Sequence, residues 1–493
     1  MSVVVDCDLP ENWAKSKIGD FAHTTSGGTP KRSMKEYYGG NIPWVKSGDL
    51  NDGALFSVDE YITELGLTKS SAKLFKPGTL LIALYGATIG RLALLQFEAS
   101  TNQAVCGITL PEEVYNKYLF YYLLSVREKL IEQGKGGAQP NISQGVVKDI
   151  EVPLAPPEQQ KRIVAKIEEL FSHIDAGIEA LKKAKQLLKQ YRQSVLKAAV
   201  TGELTKEWRE ARIKDEAHGS ANVAGGRTPG ATKLEPASQL LERILQERRQ
   251  KWEEQQLEQF KAKGKMPKND RWKEKYKEPE GYELDYQYPG WLKCRLDLLS
   301  VALGGYAFKS KNFSESGHQI VKMANIKMEV LDLDNRPSFM EALSEDLVAK
   351  YKILNNDILI TLTGTREKRD YGYVVHIVNN KQSLLLNQRI ARLRTYLPET
   401  AKFLSILLQS EPFRNVFFSY ETGNVGQGNV GMRAVTEVNI CLPSLEEQSE
   451  IVAQYEEKIQ AANRLDEELE CQLLKAEKNK QSILASAFSG KLM

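Results

Sequence analysis

Histidine and cysteine, the side chains most often used for metal binding and nucleophilic catalysis, are scattered in this chain. The five histidines (His23, His173, His218, His318, His376) show no metal-ligand spacing, and the five cysteines (Cys7, Cys106, Cys294, Cys441, Cys471) form no C-x-x-C pair. No G-x-x-x-x-G-K-[ST] loop is present to cradle a triphosphate. The Pro-Asp pair that opens many nuclease metal sites is missing, as are the Asn-Pro-Pro and Asp-Pro-Pro motifs of amino-methyltransferases. What remains is non-covalent chemistry, from cations and amides on glycine-rich turns that can hold anions and hydrogen-bonding edges. The chain is expected to bind rather than catalyse, with no metal and no cofactor of its own.

The elements that position these groups occur twice. Residues 193–204 read QSVLKAAVTGEL and residues 481–492, 288 positions later, read QSILASAFSGKL, with six of twelve positions identical. The same offset pairs Ile163-Val164 with Ile451-Val452, Gln160 with Gln448, Glu158 with Glu446, and Gln139 and Asn141 with Gln427 and Asn429. A tandem duplication in 493 residues implies two globular domains in a pseudo-twofold arrangement, suited to a ligand with two similar half-sites. Hydrophobic content of 42% is ample for burial, and the apolar runs are strand-length, far short of a bilayer span. The start, MSVVVDCDLPENW, has neither a basic nor a sustained apolar region, so no signal peptide is expected. Scattered cysteines fit a reducing cytoplasm. A net charge of +3 neither demands nor excludes a nucleic-acid partner.

The pattern predicts an α+β fold in which two mixed α/β domains are joined by two long helices packed as an antiparallel coiled coil. Strand-like runs lie at 43–46, 79–84 and 103–110 in the first copy, and at 319–322, 357–362, 373–378 and 389–393 in the second. Helices are expected at 117–133 and 401–418. From 157 to 200 the period becomes a heptad, with Ile167, Ile174, Leu181, Leu188 and Val195 on one seam and Ile163, Leu170, Gly177, Ala184, Tyr191 and Ala198 on the other. Such a helix would run about 66 Å at 1.5 Å per residue. Its less regular counterpart at 445–488 carries Ile451, Tyr455, Ile459, Leu469, Leu473 and Ile483. Neither stripe can stay in water, so the two helices are expected to pair and act as a ruler. The division is 1–156 (first domain), 157–204 (central helix), 205–285 (connector), 286–444 (second domain) and 445–493 (C-terminal helix). Within the connector, 219–232 has a flexible composition. Residues 238–263 read as a charged helix, either docked on a neighbour or solvated. The basic tract 264–277 (GKMPKNDRWKEKYK) could track phosphates or simply be solvated.

These residues carry a family likeness. A strand-rich domain ends in PLAPPEQQKRIV (153–164), then a long helix, then YRQSVLKAAVTGELTKEWRE (191–210); the second copy repeats LPSLEEQ (442–448) and closes on FSGKL (488–492). The chain thereby resembles the specificity subunit of type I restriction-modification enzymes over nearly its whole length. The resemblance implies two target-recognition domains, each reading one half of a split, asymmetric double-stranded DNA target, with the helices setting the unread spacer. It also implies two methylation subunits that bind S-adenosylmethionine, and restriction subunits that use ATP and magnesium, all docked on a non-catalytic chain. A methylation-only assembly, or a coiled-coil scaffold without DNA readout, stays open at this point.

Under that resemblance each domain must hold phosphates and reach base edges. Turn 26–32 (SGGTPKR) carries Lys31 and Arg32 on glycines suited to close approach, and 304–311 (GGYAFKSK) carries Lys309 and Lys311. Lys46 and Lys322 follow similar strands and are read as phosphate contacts. The shared pairs Asn102-Gln103 and Asn387-Gln388 are better explained as structural. Turns 85–91 (YGATIGR, with Tyr85 and Arg91) and 363–369 (TGTREKR, with Arg366, Lys368 and Arg369) diverge as base-reading loops would. Gln139, Asn141, Gln427 and Asn429 sit on glycine-rich loops ahead of the helices, suited either to DNA or to capping.

Overall fold

The computed structural model describes residues 9–133, 141–219, 235–279, 282–283, 290–423 and 426–492. They fall into two compact units, 1–185 with 467–493, and 186–466. Each unit is therefore a recognition domain plus a portion of each long helix.

In the first unit, Leu80–Ala83 lies mid-sheet in the order His23–Ser26, Val105–Thr109, Leu80–Ala83, Leu92–Leu95, Gly53–Leu55. Leu80 and Ile82 enter one core cluster while Leu81 and Ala83 enter another. Burial on both faces explains why the sequence there is continuously apolar rather than alternating. A second sheet pairs Tyr38–Val45 with Tyr61–Ile62 and with Ala99–Thr101. The second unit repeats the device: Ile358 and Ile360 face one cluster and Leu359 another.

Each domain closes on itself just before its helix. Ala14–Lys17 pairs antiparallel with Glu151–Leu154, and Leu292–Arg295 pairs antiparallel with Asn439–Leu442. The motif shared by the two copies makes this junction. Gln160 Nε2 donates to the Ala155 carbonyl at 2.8 Å, and Gln448 Nε2 to the Pro443 carbonyl at 3.0 Å. Beside them, Trp13 Nε1 donates to Gln159 Oε1 at 3.2 Å, and Trp291 Nε1 to Glu447 Oε2 at 2.8 Å. Glu447 also accepts from Thr205 and Arg209 in a buried network.

The helices run Pro157–Val200 and Leu445–Phe488. In the first unit Lys185 pairs with Glu470 at 2.7 Å and Lys480 with Asp175; in the second Arg192 pairs with Asp466 at 3.1 Å. Partner numbers fall as the first helix advances, so the pair is antiparallel. Ile163, Ile167, Leu188 and Val195 are buried as the heptad predicts, whereas Ile174, Leu181, Leu473 and Ile483 are half-buried. Gly177 and Tyr191 are exposed, and Leu196 and Ala199 are buried instead. A straight 3.6-residue helix drifts about 20° per heptad from a strict seven-residue repeat, and the packed stripe moves with it. Gly202 (φ 74°) and Gly490 (φ 75°) end both helices in the left-handed region, the reason for a glycine in each copy of the motif.

One sequence expectation changes and one open alternative is decided. The helix at 401–418 is broken into Ala401–Leu407 and Glu411–Ser419, because Pro412 in the first turn of the latter cannot continue a helix from behind. The charged helix, Ala237–Ala262, docks on the second domain through Leu240, Leu241 and Ile244. Trp272 and Tyr276 of the basic tract fold back onto Trp252, at 6.0 and 5.3 Å between ring centroids, so these aromatics serve packing. The segment 219–232 lies, beyond its first residue, outside the described residues. Among the described residues no helix is long and apolar enough to cross a membrane, and no His/Cys/Asp/Glu group is arranged to hold a metal.

Candidate nucleic-acid interface

Backbone pairing brings two sequence-distant candidate loops together in each domain. Tyr85 forms an antiparallel bridge with Asn141, and the Ile142 amide donates to the Leu84 carbonyl at 2.7 Å. In the second domain Thr363–Thr365 pairs with Gln427–Val430, Thr363 opposite Asn429, and the Val430 amide donates to the Leu362 carbonyl at 2.9 Å. One framework therefore carries different side chains in the two copies. Along Gln427–Val430 exposure alternates, with Gln427 and Asn429 facing out and Gly428 and Val430 facing in. Asn141 is likewise exposed, and Gln139 lies outside the described residues.

In the first domain Arg32 reaches Glu60 at 3.2 Å and lies over the rings of Tyr38 and Trp44 at 4.9 and 5.1 Å. Lys46 Nζ donates to the same carboxylate at 2.8 Å, a hydrogen bond that holds Glu60 below the usual carboxylate range. Lys322 instead donates to the Arg336 carbonyl at 2.8 Å and to Ser338 Oγ at 2.7 Å. Both lysines, expected on phosphates, are thus engaged within their own domains. A shared turn places them: the Lys46 amide donates to Asp49 and the Lys322 amide to Asn325, each at 2.8 Å. Lys31, Arg91, Lys309, Lys311 and Lys368 are exposed cations with no ion pair among the described residues.

The glycines of the first turns are required by the protein's own backbone. A Cβ on Gly27 would strike the Thr101 carbonyl, and one on Gly305 the Asn387 carbonyl. They let each turn cross a neighbouring strand end inside the protein. Asn102 is a turn residue, accepting from the Ala104 amide at 3.1 Å.

Loop 365–370 of the second domain is a firm projection. Asp370 accepts from the Thr365 amide at 2.5 Å, and the Arg369 amide donates to the Thr365 carbonyl at 2.9 Å. Arg369 lies over Phe418 at 4.9 Å. Arg366 Nε donates to Glu421 Oε2 at 3.1 Å, and the Tyr371 hydroxyl donates to Glu421 Oε1. Beside this loop a recess of about 650 Å³ is lined by Lys322, Met323, Asp370, Tyr373, Asn387 and Arg389. It joins the lysine turn, the Asn-Gln pair and the arginine loop into one surface. Glu60, Glu421 and Tyr371 were not legible as site residues, since nothing in their local sequence marks them as partners of distant cations.

The model of the type I restriction modification DNA specificity domain matches residues 10–188 and again residues 290–472. The chain belongs to this family. The specificity subunit of the EcoKI type I restriction enzyme of Escherichia coli is 22% identical over 498 aligned positions, spanning 98% of this chain and 90% of that one. The MjaIX specificity subunit of Methanocaldococcus jannaschii is 30% identical over 187 positions, 37% of this chain and 42% of its own. Among solved structures, the HsdS subunit from Thermoanaerobacter tengcongensis aligns over 99% of both chains with a TM-score of 0.51 at 18% identity. A chain from a type I R-M system structure covers 98% of this chain and all of its own, with a TM-score of 0.63 at 17% identity. These likenesses show a shared specificity-subunit fold.

Proposed function

We propose that this specificity subunit reads a split, asymmetric duplex DNA target, one half per domain, and scaffolds methylation and restriction subunits in the cytoplasm. The observation that carries this reading is the repeated loop framework. Tyr85 with Asn141 and Thr363 with Asn429 are paired alike, yet one copy presents YGATIGR and the other TGTREKR. Equal scaffolds with unequal side chains suit two half-sites of different sequence. The exposed cations Lys31, Arg91, Lys309, Lys311 and Lys368 are groups available to neutralise phosphates. The paired helices would set the length of the unread spacer and offer docking surface to two methylation subunits. This chain would contribute no catalytic group; S-adenosylmethionine, ATP and magnesium would be held by its partners.

The test is the adenine methylome of a host expressing this chain with its neighbouring methylation subunit, against one expressing that subunit alone. A split motif with a fixed spacer that appears only with this chain is the expected result. Methylation that never depends on the chain would overturn the reading.

A further inference from the structure

In loop 365–370 the Arg366 guanidinium is held by a carboxylate that is itself held. Its Nε donates to Glu421, and its Nη1 and Nη2 make no hydrogen bond among the described residues while the side chain stays half-exposed. Glu421 is the less accessible partner, its side chain 10% exposed against 50% for Arg366. The Tyr371 hydroxyl fixes the other carboxylate oxygen. Burial and this hydrogen bond to Glu421 push the Tyr371 phenol well above its usual range, so it stays a donor. The glycine of the paired strand clears the space, because a Cβ on Gly428 would strike the Tyr371 hydroxyl and lie 2.5 Å from Glu421 Oε1.

From this geometry we infer that Glu421, braced by Tyr371, is a positioning residue that aims Arg366 at a guanine in the half-site read by the second domain. The inference rests on the DNA-reading function proposed above. A guanidinium anchored through Nε has its plane fixed, with the two Nη donors forming a fork at the free end. In the major groove only guanine offers two adjacent acceptors, O6 and N7, to such a fork; adenine replaces one acceptor with a donor. The other cations of the loop differ. Arg369 has φ 45° and is packed over Phe418, and Lys368 is an unpaired point charge suited to phosphate. In the first domain the corresponding turn offers Tyr85 and Arg91, and the arginine on a braced carboxylate, Arg32 on Glu60, lies on a different turn and is covered by Tyr38 and Trp44.

The test uses the full chain with its methylation subunit, reading the methylome motif of the wild type and of Arg366→Gln, Glu421→Gln and Tyr371→Phe. The wild-type second half-site is expected to hold a guanine on one strand. Arg366→Gln should relax preference at that position by about 5- to 150-fold, the worth of one bidentate pair. Glu421→Gln should relax the same position by less, and Tyr371→Phe by less again, with the first half-site motif unchanged. A purely structural ion pair would lower the melting of the second unit and leave the guanine position as strict as in the wild type, and that result overturns the inference. So does a second half-site without a G·C pair, or one whose guanine survives Arg366→Gln. If the wild type shows no chain-dependent motif, the DNA-reading function has failed as well, a different and separable outcome.

Discussion

Phe488 lies at the end of the C-terminal helix, 1% exposed, with its ring edge-on to both Tyr118 and Tyr122 at 5.2 Å between centroids. Those tyrosines belong to the helix Asn116–Gln133, so the last turn of the chain helps complete the core of the first recognition domain. Replacing a fully buried phenylalanine with alanine removes its transfer free energy and leaves a cavity, about 3–5 kcal/mol together. The two edge-to-face contacts place Phe488→Ala toward the upper part of that range. At about 1.4 kcal/mol per decade, a 4 kcal/mol loss raises the opening constant on the order of a thousandfold. Amide exchange in Asn116–Gln133 reports it directly, with core amides of 358–361 in the other unit as an internal control. Thermal unfolding of the first unit should fall by roughly 8–16 °C for a body of its size. Unchanged protection in Asn116–Gln133 would refute the reasoning, since the C-terminal turn would then contribute nothing to that core.

Glu447→Ala should destabilise the second unit by about 3–5 kcal/mol in a denaturant titration, because it removes the buried carboxylate to which Arg209, Thr205 and Trp291 all donate. Glu447→Gln, the residue found at the matching place in the first copy, keeps an acceptor for Trp291 and should cost less. Leu188→Asp puts a charge at a position 7% exposed in the helix pair; loss of the soluble complex with methylation subunits is expected on gel filtration, and unchanged assembly would sink the ruler role. Burial holds the His376 imidazole below its usual value of 6.5, with the nearby Lys402 charge acting the same way and Glu456 opposing. Unfolding lets this ring take up a proton first, so its contribution to stability is full above pH 6.5 and declines as pH falls from there toward the folded-state value. His376→Phe should flatten that part of the stability–pH curve for the second unit.

The sequence by itself determined the duplication, the two helices to the residue, and the buried strands such as 80–83, 105–109, 358–361 and 390–395, because these are local periodicities that burial enforces on consecutive side chains. It also determined the absence of catalytic motifs and the candidate loops, through glycine, cation and amide content. Only the tertiary structure decided which of those residues are free to act. Lys46 and Lys322, alike in sequence to any exposed lysine, spend their donors on Glu60 and on Arg336 and Ser338. The glycines of the first turns clear protein backbone. Arg366 gains its fixed aim from Glu421, 55 positions away, across a strand pairing that no local pattern encodes. The heptad predicted a regular seam, and the 3.6-residue turn moved it, because side-chain burial follows the true helical period over many turns. Local pattern fixes what each segment is, whereas a site depends on partners distant in sequence, and those are set when the sheets close and the helices pair.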